Sequence, residues 1–194
     1  MIDPKGATPL DVDGLRLSHL RSREEIYAAE AENIFRAHQR HLARRKNAKR
    51  EWLTDDFLRR LHRDMFGAVW EWAGQYRNTE KTVGVAPFRI RDEIAKLCKD
   101  RLYWDQDETM SILDRAARLH ARLAWIHPFE NGNGRHARLV TDLFLRSHGH
   151  ALPEWPHSDL MGDGAPRLNY LAALKSADQG NFEPLINFTK QYLR

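Results

Sequence analysis

Several features are scarce in this chain of 194 residues, and each scarcity excludes a class of protein. Cys98 is the only cysteine, so no intrachain disulfide can form and a reducing compartment is expected. No apolar run approaches the ~20 residues that a membrane-spanning helix needs. The N-terminus lacks the apolar stretch of a secretory signal. We therefore expect a cytoplasmic protein without a membrane segment.

The composition is otherwise that of an ordinary globular protein, with 42% hydrophobic and 30% charged residues and a net charge of +4. A basic run without acidic residues could bind nucleic acid or an acidic partner. This run lacks interleaved aromatic residues that would stack on bases, so we interpret it as a solvated helix end and do not expect nucleic acid as a partner. Its members are Arg36, Arg40, Arg44, Arg45, Lys46, Lys49 and Arg50.

Helical periodicity runs through most of the chain and predicts a mainly α fold, a helical bundle with one small β-hairpin. Ser22 and Thr54 are predicted N-caps of the first two helices. Glycine, proline and short β-branched pieces predict the hairpin between residues 74 and 88. We divide the chain into an N-terminal arm and helix, 1–53, and a core, 54–194. Further helices are predicted at 92–102, 108–126, 166–177 and 184–193. Another helix lies between the second and third of these and is predicted to end at Ser147.

The segment from residue 127 to residue 138 carries the strongest functional signal and reads His-Pro-Phe-Glu-Asn-Gly-Asn-Gly-Arg-His-Ala-Arg. Gly132 and Gly134 allow successive backbone N–H groups to converge on an anion. A helical pattern follows, so the glycine turn lies at a helix N-terminus, which favours phosphate. Arg135 and Arg138 share a face of that helix, so both guanidinium groups can reach one polyphosphate.

His127 stands at the start of this segment, and its imidazole can exchange a proton near neutral pH. Pro128 ends the preceding helix, which places His127 at a helix C-terminus beside the glycine turn. A base beside a phosphate-binding turn indicates phosphoryl or nucleotidyl transfer.

These twelve residues resemble the signature of the Fic family, His-Pro-Phe-x-(Asp/Glu)-Gly-Asn-Gly-Arg-x-x-Arg, and differ from it only at Asn131. The chain looks closest to the branch called mobile mystery protein B, which also contains Asn-Gly-Asn-Gly-Arg-His-Ala-Arg. Residues 72–77 and 79–85 look like the segment that precedes and forms the family's target-docking flap. The resemblance extends from about Pro9 to the C-terminus.

The resemblance implies a protein adenylyltransferase that moves AMP from ATP to a hydroxyl side chain of a target protein. His127 would be the general base. The phosphates would be bound by residues of the glycine turn and the helix after it: Gly132, Asn133, Gly134, Arg135 and Arg138. The docking edge of the flap would consist of Lys81, Thr82, Val83, Gly84 and Val85.

Asn131 stands where the family usually has an acidic magnesium ligand. An amide oxygen can coordinate Mg²⁺ but brings no negative charge, and Glu130 is the neighbouring carboxylate. We therefore predict ATP as substrate, Mg²⁺ bound weakly at Asn131 or Glu130, and adenylyl transfer with a weak metal dependence.

Regulation and partners are hypotheses that the resemblance suggests. Many Fic proteins carry an inhibitory helix motif, (Ser/Thr)-x-x-x-Glu-(Gly/Asn), whose glutamate pairs with the second signature arginine. Glu32 and Asn33 match the end of that motif, although Ala28 occupies the Ser/Thr position, so Glu32 is a candidate inhibitor that would contact Arg138. An antitoxin-like protein partner and a homodimer are further hypotheses.

Three alternatives remain open. The first is a metal hydrolase that uses His120 with His127 or His148 with His150, although neither pair has His-Glu-x-x-His spacing. The second is a non-enzymatic nucleotide sensor or nucleic-acid-binding partner, which the basic run and Asn131 would suit. The third is Fic-type transfer of another phosphate-containing group, such as UMP, phosphocholine or phosphate.

Overall fold

The structure, a computed structural model, describes residues 12–43, 52–156 and 164–194. Helices dominate these ranges, and the predicted mainly α fold is confirmed. None of the described helices is both long and apolar enough to cross a membrane. The predicted arm up to residue 11 and the basic residues 44–50 lie outside the described ranges. The helices are α1 Arg23–Ala43, α2 Asp55–Phe66, α3 Ile90–Trp104, α4 Ile112–Ile126, α5 Asn133–Ser147, α6 Ala165–Asp178 and α7 Glu183–Gln191, with a 3-10 turn at Pro87–Arg89 before α3.

Side-chain caps determine where the first two helices begin. At α1, the Ser22 hydroxyl accepts from the backbone N–H of Glu25 at 3.1 Å, and the Glu25 carboxylate accepts from that of Ser22 at 2.9 Å. At α2, the Thr54 hydroxyl accepts from the backbone N–H of Phe57 at 3.1 Å. Both predicted N-caps are confirmed.

The fourth helix begins later than predicted, at Ile112 instead of Glu108. The carboxylate of Asp107 accepts from the backbone N–H of Thr109 at 3.0 Å and closes a separate turn. Ser111 then supplies the side-chain cap of α4. The predicted boundary is wrong because Asp107 forms a local turn where a helical pattern was extrapolated.

Helices α4 and α5 pack against each other at the centre of the molecule. Helices α1 and α2 pack on each other and on α5, whereas α6 and α7 pack on each other and on α4. The larger cluster of buried hydrophobic side chains includes Phe66 and Phe144, and the smaller one includes Tyr170 and Leu185. Residues 127–132, which connect α4 to α5, therefore have core elements on both sides.

The segment 74–88, which we call the flap, does not form the predicted hairpin and contains no paired strands. Its backbone bonds to the α4–α5 connection instead. Arg77 N donates to Pro128 O at 3.0 Å, and Val85 N donates to Ile126 O at 3.3 Å. Because these groups are engaged by the connection, the two arms of the flap do not pair with each other.

Candidate active site

His127 directly follows α4 and adopts a left-handed backbone conformation, with φ 51° and ψ 59°. No other non-glycine residue in the described ranges has a positive φ. Pro128 prevents the helix from continuing. A left-handed conformation costs such a residue about 1–3 kcal/mol unless surrounding contacts hold it. The neighbours of His127 therefore determine where its imidazole lies.

The main contacts that hold His127 come from Arg77, a buried arginine of the flap. Its Nε donates to the carbonyl oxygen of His127 at 2.7 Å. Its terminal nitrogens donate to the carbonyl oxygens of Thr79, at 2.8 Å, and of Val85. One guanidinium group thus joins the flap to the candidate base. We assigned Arg77 no role from the sequence, where the available signal was its place in the segment 72–77.

The tip of the flap touches His127. A Cβ atom added to Gly84 would lie 2.5 Å from the Cβ of His127, closer than such atoms approach. Gly84 also has φ 101°, so the position requires glycine. Thr82 and Val83 are exposed beside it, whereas Val85 is buried. The predicted docking residues therefore include an exposed edge next to the imidazole.

The imidazole of His127 is neutral at pH 7. Burial lowers its pKa to about 4, and the positive charges of Arg77 and Lys81 act in the same direction. The backbone carbonyl of Ala124 favours the protonated ring and opposes this shift. A neutral imidazole carries a proton on one nitrogen only, so the other nitrogen can accept a proton from a substrate.

The glycine turn before α5 is packed against α2. Gly132 has φ 77°, and a Cβ atom there would lie 2.4 Å from the ring of Phe66. The side chain of Asn133 accepts from Phe129 N at 2.9 Å and donates to Phe129 O at 2.8 Å. The predicted phosphate ligand Asn133 thus uses its amide to close the loop. Its backbone N–H, at the helix start, is the group that can face an anion.

His62 is a second residue that we did not assign from the sequence. Gly74 N donates to its Nδ1 at 3.0 Å, so its Nε2 carries the proton and donates to the backbone carbonyl of Asn131 at 3.0 Å. Its ring stacks on Phe129 with centroids 3.7 Å apart. Burial lowers the pKa of His62 well below its usual value, so this neutral bridge between flap and loop persists at pH 7.

The predicted metal ligands Glu130 and Asn131 are both engaged by neighbours. Glu130 lies 2.5 Å from the ammonium of Lys81 and accepts from the hydroxyl of Thr79 at 3.0 Å. The side-chain oxygen of Asn131 accepts from Gly132 N at 2.6 Å. Across the described parts of the chain, no three His, Cys, Asp or Glu side chains group as metal ligands. The two oxygens therefore do not form a ready metal site.

The side chain of Arg135 turns toward α1. Its Nη1 lies 2.6 Å from Oε2 of Glu30, and its guanidinium lies over the ring of Phe66 at 4.8 Å. Glu30 is fully buried and also accepts from Trp70 Nε1 at 2.6 Å. We did not assign Glu30 from the sequence, although it lies four residues after buried Ile26, on the same face of α1.

The predicted inhibitory contact between Glu32 and Arg138 is not formed. Glu32 is exposed and pairs with Arg36 at 2.7 Å on the surface of α1. Two residues along a helix correspond to about 200° of rotation, so Glu32 and Glu30 point in nearly opposite directions. The acidic residue of α1 that reaches the signature helix is Glu30, and it meets the first arginine.

Arg138 turns the opposite way, toward α6. It is buried, its guanidinium lies over the ring of Tyr170 at 5.5 Å, and the Tyr170 hydroxyl favours its charged form. Its Nη1 lies 3.7 Å from where a Cβ of Gly134 would be, so it lies close to the first turn of α5. Its Nε has no hydrogen-bond partner among the described residues. A buried cation with an unpartnered N–H beside a helix N-terminus suits an anion.

The histidines of the alternative metal sites do not come together. His120 is buried and bonds to Tyr170 and Thr141, away from the flap that contacts His127. Nδ1 of His148 and Nδ1 of His150 engage backbone carbonyls of their own segments, and Nε2 of His148 lies 3.8 Å from Asp105 Oδ1. The described structure therefore offers no support for the metal hydrolase.

This chain resembles a known protein family and curated sequences that include the two described here. The family described as Fic/DOC matches residues 52–145. Protein adenylyltransferase fic-1 of Caenorhabditis briggsae is 32% identical over 146 residues, which cover 71% of this chain and 26% of that protein. A uridine 5'-monophosphate transferase of Xanthomonas campestris pv. campestris is 38% identical over 74 residues, 36% of this chain and 13% of that protein. The chain spans about a quarter or less of the length of these relatives.

The fold is also shared with solved structures. The BepC protein of Bartonella tribocorum, a VirB-translocated effector with bound AMPPNP, aligns with a TM-score of 0.71 at 18% identity. The alignment covers 99% of this chain and 95% of that one. At this identity the likeness shows a common fold.

Proposed function

Because the chain belongs to the Fic/DOC family, we propose that it is a protein adenylyltransferase, which transfers AMP from ATP to a hydroxyl side chain of a target protein. One arrangement carries this proposal. Arg77 holds the backbone of His127, whose imidazole is neutral, in the segment that leads into α5, and the buried cation Arg138 lies close to the first turn of α5. The name of the Caenorhabditis briggsae relative supports the activity, and the AMPPNP bound to BepC supports ATP as substrate.

In the proposed reaction the hydroxyl oxygen of the target attacks the α-phosphorus of ATP. His127 accepts the hydroxyl proton as the oxygen–phosphorus bond forms. The bond from the α-phosphorus to the oxygen that bridges to the β-phosphate breaks, and pyrophosphate leaves with the electron pair. The free N–H groups at the start of α5, together with Arg138, bind and stabilise the negative phosphates.

The target segment would lie along the flap. Thr82 and Val83 are exposed, and Gly84 touches His127. An extended peptide can pair its backbone with such an edge and place a hydroxyl beside the imidazole. The flap would therefore determine how far the target hydroxyl lies from the base.

Mg²⁺ does not fit the candidate ligands in their present arrangement. Glu130 is neutralised by Lys81, and the amide oxygen of Asn131 already accepts from a backbone N–H. The proposed steps therefore do not involve a metal bound by this chain. We retain the prediction that transfer depends weakly on Mg²⁺.

A second candidate is transfer of UMP by the same residues. The uridine 5'-monophosphate transferase of Xanthomonas campestris pv. campestris favours it, since its similarity to this chain is 38% over 74 residues. Both reactions would use His127 as base and differ in the nucleotide bound.

Labelled nucleotides test the proposal directly. The protein is incubated with a candidate target mixture and with ATP labelled at the α- or the γ-phosphate, with UTP as a parallel arm and with Mg²⁺ present or chelated. Adenylyl transfer predicts protein label from the α position only and an intact-mass increase of one AMP. Label from the γ position would show phosphate transfer, and label from UTP alone would show uridylyl transfer.

A histidine variant assigns the base. His127→Ala should lower the transfer rate by ~10²–10⁴ while ATP affinity, measured by calorimetry, stays within a few-fold. His19→Ala, an exposed histidine outside the site, serves as the matched control. Unchanged transfer by His127→Ala would show that another group accepts the proton.

We also propose the cytoplasm as location and keep the division of the chain at residue 53, the antitoxin-like partner and the homodimer as hypotheses. The pairing of Glu30 on α1 with Arg135 supports the view that α1 contributes to the site. Light scattering of the purified chain, alone and with proteins co-purified from its host, tests both assemblies.

A further inference from the structure

A row of buried polar groups connects α5, α4 and α6 behind the glycine turn. The Thr141 hydroxyl lies 3.2 Å from Nδ1 of His120, and Nε2 of His120 lies 2.8 Å from the hydroxyl of Tyr170. The Tyr170 side chain in turn lies against Arg138, whose guanidinium carbon is 5.5 Å from the centroid of the Tyr170 ring. All four side chains are buried. The proposed reaction does not use Thr141, His120 or Tyr170 directly.

The direction of each hydrogen bond in this row follows from the number of protons available. The hydroxyl of Thr141 has a single proton and donates it to the backbone carbonyl of Ala137 at 2.8 Å. Thr141 must therefore accept from His120, which places a proton on Nδ1. Burial and the charge of Arg138 lower the pKa of His120 to about 3, so at pH 7 its Nε2 carries no proton.

The hydroxyl of Tyr170 must donate to this bare Nε2, because an unprotonated ring nitrogen can only accept. The proton of Tyr170 is then committed, and its oxygen can only accept from other groups. Arg138 can only donate hydrogen bonds, so the lone pairs of the Tyr170 oxygen are available to its guanidinium group. In any hydrogen bond between these two side chains, Arg138 must be the donor and Tyr170 the acceptor.

The same contact determines where the guanidinium group lies. A Cβ atom on Gly134 would lie 3.7 Å from Nη1 of Arg138 and 3.9 Å from the Tyr170 hydroxyl. Both groups are therefore close to the N-terminal turn of α5, where free N–H groups favour phosphate. Tyr170 is neutral, so it orients Arg138 without cancelling its charge.

We propose that Tyr170, with His120 and Thr141 behind it, is a positioning residue that aims Arg138 at the terminal phosphates of a bound nucleoside triphosphate. The inference rests on the proposed function for the identity of the ligand. It assigns to α6 a role in triphosphate binding.

Calorimetry with ATP and AMP tests this inference. Tyr170→Phe removes only the hydroxyl and should weaken ATP binding about tenfold, as expected for one hydrogen bond to a charged group. AMP affinity should stay unchanged, because AMP lacks the terminal phosphates. Tyr103→Phe, an exposed tyrosine of α3, is the matched control. In an Arg138→Gln background, Tyr170→Phe should have no further effect on ATP affinity.

A second variant keeps the test valid if Tyr170→Phe does not fold. Thr141→Val removes the acceptor that fixes the His120 tautomer and should weaken ATP binding by a smaller factor, again without changing AMP binding. Equal losses for ATP and AMP, or unchanged ATP affinity, would overturn the inference. A wild-type protein that binds ATP but transfers nothing would contradict the proposed function alone, whereas one that binds neither ATP nor AMP would contradict both.

Discussion

Arg135 and Arg138 lie on the first two turns of α5, three residues apart, yet their charges have different surroundings. Arg135 meets the buried carboxylate of Glu30 at 2.6 Å, so its positive charge is balanced within the protein. Arg138 meets the neutral hydroxyl of Tyr170 and has an unpartnered Nε among the described residues. Arg135 is thus paired with an opposite charge, whereas the contact of Arg138 with Tyr170 is with a neutral group.

The nearby carboxylate of Asp142 does not remove this difference. It accepts from Trp155 Nε1 at 2.8 Å and lies 3.3 Å from a ring nitrogen of His38. Burial raises its pKa, which reduces the charge that it can offer to Arg138. The contrast teaches that equal helical spacing does not imply equal function. Under the proposed function, Arg138 keeps the positive charge that would bind a polyphosphate, whereas Arg135 links α1 to α5 through Glu30.

The largest expected effect is a loss of stability when the contact between Glu30 and Arg135 is removed. Glu30→Ala leaves the partly buried guanidinium of Arg135 and the buried indole N–H of Trp70 without their partner, so the free energy of unfolding should fall by about 3 kcal/mol. Glu30→Gln should lose less, because its amide oxygen can still accept a hydrogen bond. Urea denaturation measures both. Glu32→Ala, which breaks an exposed pair, should change stability by no more than about 0.5 kcal/mol, and equal losses at both glutamates would contradict the contrast.

Acid should destabilise the protein through His120, which contacts Tyr170 next to Arg138 and has a folded-state pKa of about 3. The unfolded chain binds a proton near pH 6.5, and the folded chain does not, so stability falls as the pH drops from 6.5 toward 3. At pH 4.5 this residue alone should cost about 3 kcal/mol. Urea denaturation of His120→Gln should show a shallower pH dependence between pH 6.5 and 4.5, and an identical slope would contradict the assignment.

Nucleotide affinity compares the two arginines directly. Arg138→Gln should weaken ATP binding by ~10- to 100-fold, since charged hydrogen bonds to phosphate contribute about 1.5–3 kcal/mol. Arg135→Gln should change the affinity of the folded protein by less than ~3-fold, because its charge is already balanced by Glu30. Calorimetry with ATP measures the affinity of each variant. Equal losses would show that both arginines bind phosphate, as helical spacing alone predicts.

The smallest effect concerns the second partner of Glu30. Trp70→Phe removes the indole N–H that donates to Oε1 and leaves the Arg135 contact in place. We expect a loss of about 1 kcal/mol in the free energy of unfolding, with ATP affinity unchanged. A loss as large as that of Glu30→Ala would show that the indole, and not the ion pair, accounts for the stability on this side.

The helices and the signature segment could be predicted because their signals are local. Ser22 and Thr54 are capping residues next to the helices that they cap, and the segment 127–138 contains the base, the glycine turn and both arginines in one frame. The position of the flap in the sequence could be predicted, but its backbone hydrogen bonding could not. Its backbone groups pair with the α4–α5 connection, and no periodicity within the flap reports that distant partner.

The partners that distinguish the two arginines could not be predicted for the same reason. Glu30 and Arg135 are 105 residues apart, and Tyr170 and His120 are 50 apart. Charge and spacing along one helix indicate which side chains share a face, but only the packing of helices determines what each one meets. The pairing of Glu32 with Arg138, inferred from a sequence motif, failed at this step.

The contact between Gly84 and His127 has a consequence for substrate choice. With no side chain at this position, the backbone of Gly84 can lie directly against the Cβ of His127. Any larger residue would push the flap away from His127 and would widen the space beside the candidate base. Under the proposed function, this close approach would limit how far a target hydroxyl can lie from the imidazole.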